Sequence, residues 1–149
     1  MKNQLAQTEP DLRDELHARA AEWYCEHGYV REAIEHAFQR SDRGLVLRLI
    51  EGQAFPLFFQ GEVTMVAAWF DRLPEGDLRT SPMLCISKAW ALALMQRDTR
   101  RAEVDRALQQ AQEALDQNGA DEALRNLVAG HTASIEALLL QMPVLLGEA

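Results

Sequence analysis

The chain has 149 residues, 48% of them hydrophobic and 26% charged, which is enough for one domain that buries about two-thirds of its unfolded surface and too apolar for disorder. A formal charge of −8 sets it against phosphate backbones and argues against a nucleic-acid-binding face. Cys25 and Cys85 have no second ligand at metal spacing, and the longest apolar run, Ala137 to Leu146, is broken by Gln141 and Pro143. Neither a metal site, a disulfide framework, a signal peptide nor a membrane span is therefore expected, and a reduced cytoplasmic setting fits.

Apolar residues recur at helical spacing throughout. Leu12, Leu16, Ala20 and Trp23 share one face of a first helix that stops at His27-Gly28, where glycine can take the left-handed conformation. Val30, Ile34, Ala37 and Phe38 mark a second helix. A third starts near Asp42 and carries Leu45, Leu49, Ile50 and Leu57, with a bend or break expected at Pro56. After Gln60-Gly61, a fourth helix carries Val63, Val66, Trp69, Phe70 and Leu73 and stops before Pro74. The stretch 74–81 reads as a polar loop ending in Ser81-Pro82, a capping serine followed by a proline suited to the first helical position. A fifth helix then carries Ile86, Ala89, Trp90, Ala93 and Leu94. The sixth starts near Asp98-Thr99 and ends at Asn118-Gly119. The most basic stretch, Arg97 to Arg106, falls here, but Asp98, Glu103 and Asp105 interleave it, as on a solvated helix face. Asp121 can cap a seventh helix with Leu124, Leu127, Val128, His131, Ile135, Leu138 and Met142 on one broad side, closed by Pro143.

These elements predict an all-α fold of antiparallel helical hairpins stacked as a right-handed superhelix resembling tetratricopeptide repeats. The expected single domain spans 1–149, with hairpins at 12–40, 43–73 and 82–117 and a terminal helix at 121–142. Gly28, Gly61 and Arg97 stand at equivalent turns 33 and 36 residues apart, and Ala33, Val66 and Ala102 each follow five residues later. That period is close to the ~34 residues of such repeats. The small-to-medium residue sits where paired helices approach closely.

Candidate chemistry is sparse. His17, His27 and His36 lie ten and nine residues apart, not at the i, i+4 spacing of a helical metal pair, and read as structural. Glu22, Glu26 and Glu32 have no partnered nucleophile or base, so no catalytic residue, metal site or cofactor is expected and the chain is not read as an enzyme. Trp23, Trp69 and Trp90 read mainly as core. Around Pro56, Phe55, Phe58 and Phe59 cannot all lie on one narrow stripe, so at least one should face solvent or a neighbouring domain. In stacked hairpins the first helix of each pair lines the concave side, which makes Arg19, Glu22, Glu26, Gln53, Gln60, Lys88 and Gln96 candidates for a partner or ligand groove. The last helix lacks a hairpin partner. Leu139, Leu140, Leu145 and Leu146 are therefore candidates for self-association as a homodimer.

Several segments together resemble one family. Leu16-His17, Glu22-Trp23-Tyr24, His27-Gly28, Glu32 to Ala37 and Ser41-Asp42 form an opening motif; Gly61-Glu62, Trp69 to Pro74, Pro82 to Leu94 and Arg101-Ala102-Glu103 through Leu115 continue it. Over roughly Leu12 to Asn118 the chain resembles the large ATP-dependent LuxR-type transcriptional activators of the MalT kind, at the join between their winged helix and helical-repeat sensor. The resemblance implies a signalling segment that relays a protein partner or small-molecule inducer to neighbouring domains of a longer regulator. It implies ATP only in a domain outside this chain, which has no Gly-x-x-x-x-Gly-Lys-Ser/Thr loop, and DNA binding likewise outside it. A free-standing helical-repeat scaffold for protein partners is the alternative.

Overall fold

The structure, a computed structural model, describes the backbone of residues 2–95 and 101–145 and the side chains of 10–95 and 101–141. The chain is all-helical: among the described residues there are α1 (Lys2–Glu26), α2 (Val30–Gln39), α3 (Arg43–Phe59), α4 (Val63–Asp71), α5 (Glu75–Leu78), α6 (Pro82–Leu94), α7 (Arg101–Gln117) and α8 (Glu122–Leu145), and no strand. It divides into two compact units, Met1–Gln53 and Ala54–Ala149, the division falling inside α3.

Four helices end by the same local device. The amide of the third residue past the helix reaches back five residues to a carbonyl: Tyr29 to Tyr24 at 2.7 Å, Asp42 to Ala37 at 3.2 Å, Glu62 to Leu57 at 2.9 Å and Ala120 to Leu115 at 3.3 Å. The residue before each donor is left-handed, with φ of 86° at Gly28, 58° at Ser41, 83° at Gly61 and 59° at Gly119. This turn satisfies carbonyls that the helix leaves free, and three of the four positions carry the glycine it favours. Helix starts follow side-chain chemistry as directly. Asp42 Oδ1 accepts from the Leu45 amide at 3.2 Å and Asp121 Oδ1 from the Leu124 amide at 2.8 Å. Ser81 occupies the cap position ahead of Pro82, yet its hydroxyl makes no capping bond, contrary to the sequence expectation.

Other boundaries also differ. α1 begins at Lys2 and passes through Pro10, well before Leu12. α3 runs unbroken through Pro56, so of the bend or break expected there the break does not occur. The stretch 74–81 holds the short helix α5, pinned by the fully buried Leu78. α8 continues past Pro143. The expected starting residues 98–100 of the sixth helix and the repeat position Arg97 lie outside the described residues.

In the first unit α1 packs on α2, and the face it buries is not the one expected. Ala21 is buried and His17, Ala18 and Cys25 are half-buried, whereas Leu12, Leu16 and Trp23 are 57%, 56% and 50% exposed. Small side chains on α1 allow the close approach that the short 27–29 connection imposes, and α2 answers with Ala33, Ile34 and Ala37, all buried. Leu45, Val46, Leu49 and Ile50 of α3 complete the buried set.

In the second unit α6 is central. Leu84, Cys85, Ile86, Ser87, Ala89, Ala91, Leu92 and Ala93 are buried on every side of it, the pattern of a helix surrounded by others, and it packs on α4, α5, α7 and α8. The Ser87 hydroxyl is satisfied within the helix by donating to the Met83 carbonyl at 2.8 Å. Ala89, Leu92 and Ala93 meet Val104 and Ala107 of α7 and Ile135 of α8, with Trp90, Leu108, Leu138 and Leu139 packed round them. Val66 is buried as the repeat spacing implies, but Ala102 is exposed, so the third position of that equivalence fails. No helix among the described residues is long and apolar enough to cross a membrane.

Candidate interaction surface

Three rows run along α1, each displaced by one or two residues from the next. The inner row, around His17, Ala21 and Cys25, faces α2. Two cross-links hold it there: His17 and His36 share a hydrogen bond between Nδ1 and Nε2 at 2.8 Å, and Arg40 donates to Asp14 at 2.9 Å. The opposite row, Leu12, Leu16 and Trp23, points outward. Beside it Asp11, Glu15, Glu22 and Glu26 repeat the same spacing one residue earlier, and all four are exposed. Arg19 lies among them but is already paired with Glu15 at 3.3 Å.

The outward row ends in an aromatic platform. Trp23 stacks on His27 with ring centroids 4.0 Å apart, and the His27 ring nitrogen donates to the Trp23 carbonyl at 2.8 Å. Trp23 meets Tyr24 edge to face at 5.4 Å, and Tyr24 meets Tyr29 likewise at 6.1 Å. These rings hold one another in place while Trp23, Tyr24 and Tyr29 stay 50%, 43% and 51% exposed, and exposed aromatic residues are effective binding anchors.

Of the groove candidates, Arg19, Glu22 and Glu26 thus share one side of α1. Gln53 is half-buried on α3 of the same unit; in the second unit Gln60 is exposed and Lys88 half-buried, and Gln96 lies outside the described residues. Among the self-association candidates Leu139 packs against the core of its own unit and is not left uncovered, because α8 folds back on α6 and α7. Leu140 is 71% exposed, whereas the Leu145 side chain and Leu146 lie outside the described residues. Phe59 at 89% exposure is the phenylalanine near Pro56 that faces outward, while Trp69 is core.

A second cluster was not legible in the sequence. His131 Nδ1 accepts a hydrogen bond from the Trp90 indole at 3.1 Å and its ring stacks on Phe55 at 5.2 Å. Spacing alone places Trp90 and His131 on apolar faces but not opposite each other.

Neither thiol is poised for chemistry. Burial pushes Cys85 up to about 11, and its Sγ donates to the Leu78 carbonyl at 3.2 Å; Cys25 is raised by burial and then by the charges of Glu22 and Glu26. Both stay protonated near neutrality, whereas the nucleophile is the thiolate.

The His17–His36 bond carries a pH dependence. His17 is held below its ordinary 6.5 by burial and by the positive charge of Arg40 and of His36, with Asp14 opposing. A group depressed in the folded state stabilises it above the unfolded value, and that contribution is lost as pH falls through the folded one. Thermal unfolding of the chain should therefore show stability falling as pH drops below 6.5, and His17→Gln should reduce that slope. An unchanged slope would remove this pair from the pH response.

The chain is similar to a segment of far longer bacterial proteins. It is 34% identical over 113 residues to the HTH-type transcriptional regulator MalT of Yersinia pestis (strain Pestoides F), a match covering 74% of this chain and 12% of that protein. It is 35% identical over 83 residues to the serine/threonine-protein kinase PknK of Mycobacterium tuberculosis (strain H37Rv), covering 56% of this chain and 8% of the kinase. The chain thus spans only about a tenth of the length of these relatives. No family model matches it, and no solved structure does. The likeness to both proteins supports a MalT-like region, and the likeness to MalT is to a segment of a transcriptional regulator.

Proposed function

We propose that this chain is the helical-repeat interaction segment of a LuxR-family, MalT-like ATP-dependent regulator, relaying the binding of an inducer or partner to ATPase and DNA-binding domains outside it. One observation carries the reading. Matches covering 74% and 56% of the chain must overlap, so one stretch is shared by a protein named for transcriptional regulation and one named for a kinase activity. A segment common to two different outputs is best placed upstream of both, as the part that receives a signal. The outward face of α1 supplies a surface for that role, and cytoplasmic location follows from the same reading. The segment itself has no catalytic role and contacts neither nucleic acid nor membrane. Homodimerisation through exposed Leu140 and the end of α8 remains part of the proposal.

The isolated chain should bind neither ATP nor duplex DNA at about 0.15 M salt, since its charge of −8 opposes phosphate contact. Calorimetry with ATP and magnesium and a gel shift with duplex DNA measure this. Micromolar binding of either would overturn the assignment of those functions to other domains.

A further inference from the structure

We infer that the outward face of α1 is the docking site for a basic amphipathic helix of a separate protein. The apolar row Leu12, Leu16 and Trp23 covers twelve residues, roughly 16 Å along the helix axis, and it is directed away from the face that packs on α2. A partner helix presents its own apolar residues at the same i, i+4, i+11 intervals, so the two rows match in length and repeat. An extended peptide does not fit, because it needs an unpaired sheet edge and α1 has its backbone bonded within the helix.

Charge fixes the sign of the partner. The acidic row Asp11, Glu15, Glu22 and Glu26 runs beside the apolar one for its whole length; of the two arginines in this span, Arg19 is tied to Glu15 at 3.3 Å and Arg13 stands on the other flank of the apolar row. Lys or Arg residues flanking the partner's apolar stripe would lie against this row, and a guanidinium would have the half-exposed Trp23 ring within its reach. The same row repels anionic lipid headgroups and a second copy of α1. The inference deepens the reading of the chain as an interaction segment and rests on it.

The test uses the whole chain and a synthetic amphipathic helix of about sixteen leucines and lysines, with a leucine–glutamate counterpart, at about 0.15 M salt. The lysine peptide should bind, shift the amide resonances of α1 and α2 but not those of α6 to α8, and move the emission of Trp23. Leu16→Ser with Trp23→Ala should weaken it about tenfold or more, and Glu22→Lys with Glu26→Lys should do so comparably while leaving the apolar row intact. All four positions are exposed, so both variants should keep the parent circular dichroism. The glutamate peptide should not bind. No binding of the lysine peptide, equal binding by both variants, resonance shifts confined to the second unit, or light scattering that reports a dimer through α1 would each overturn the inference. If the peptide fails while the inducer response of a longer parent still depends on Glu22 and Glu26, the relay reading stands and only the partner assignment falls.

Discussion

Ile135→Ala should cost about 2–4 kcal/mol, measured by denaturant unfolding of the second unit, because it empties a fully buried site among Ala89, Leu92, Ala93, Val104 and Ala107. Three of the five buried neighbours are alanines, short side chains on helices already in contact, so the fully buried part of the site has little means of collapsing into the space. Leu140→Ala, on the same helix but 71% exposed, should change stability by no more than about 0.5 kcal/mol. The pair of measurements decides whether α8 is part of this unit's core or a loose terminal helix. Similar small losses at both positions would show that α8 is not docked.

Ala33→Leu should cost about 1–3 kcal/mol in the first unit, since Ala33 is fully buried and a larger side chain must push α2 off its neighbours or leave its rotamer well. Ala102→Leu, at the position that the sequence period makes equivalent, should be nearly neutral because Ala102 is exposed. Thermal or denaturant unfolding of the two variants separates the true packing site from the apparent one. Equal destabilisation would restore the three-fold equivalence that the structure breaks.

Helix identity and helix ends were the most legible part of this chain. Gly28, Gly61 and Gly119 end helices because a left-handed residue is needed there, and Asp121 starts one because its carboxylate can reach an amide three residues on; both effects are local and need no knowledge of the fold. Ser41 shows the limit. It takes φ of 58° without being glycine, so the turn after α2 carries no residue signal of its kind.

The orientation of α1 was not legible, for a definable reason. The helix has two rows that could face inward, a bulky one with Leu12, Leu16 and Trp23 and a small one with Ala18, Ala21 and Cys25. Hydrophobic size favours burying the first, but close packing on α2 requires the second. The sequence does show that the large row is bordered by four carboxylates, and a face meant for a permanent core is seldom bordered so closely. Likewise the groove candidates Arg19, Glu22 and Glu26 do share a surface, whereas the spacing argument could not tell that Leu139 packs into the core of its unit. Folding back of α8 is a tertiary event with no local signature.

The claim that this segment receives a signal is tested most directly in a longer parent protein that contains it. Glu22→Lys with Glu26→Lys would be introduced there, and transcriptional output measured with and without the activating signal, alongside the melting temperature of the 149-residue chain carrying the same changes. The account predicts that the response to signal is lost while basal output and the melting temperature hold. An undiminished response with the α1 face reversed in charge would contradict it.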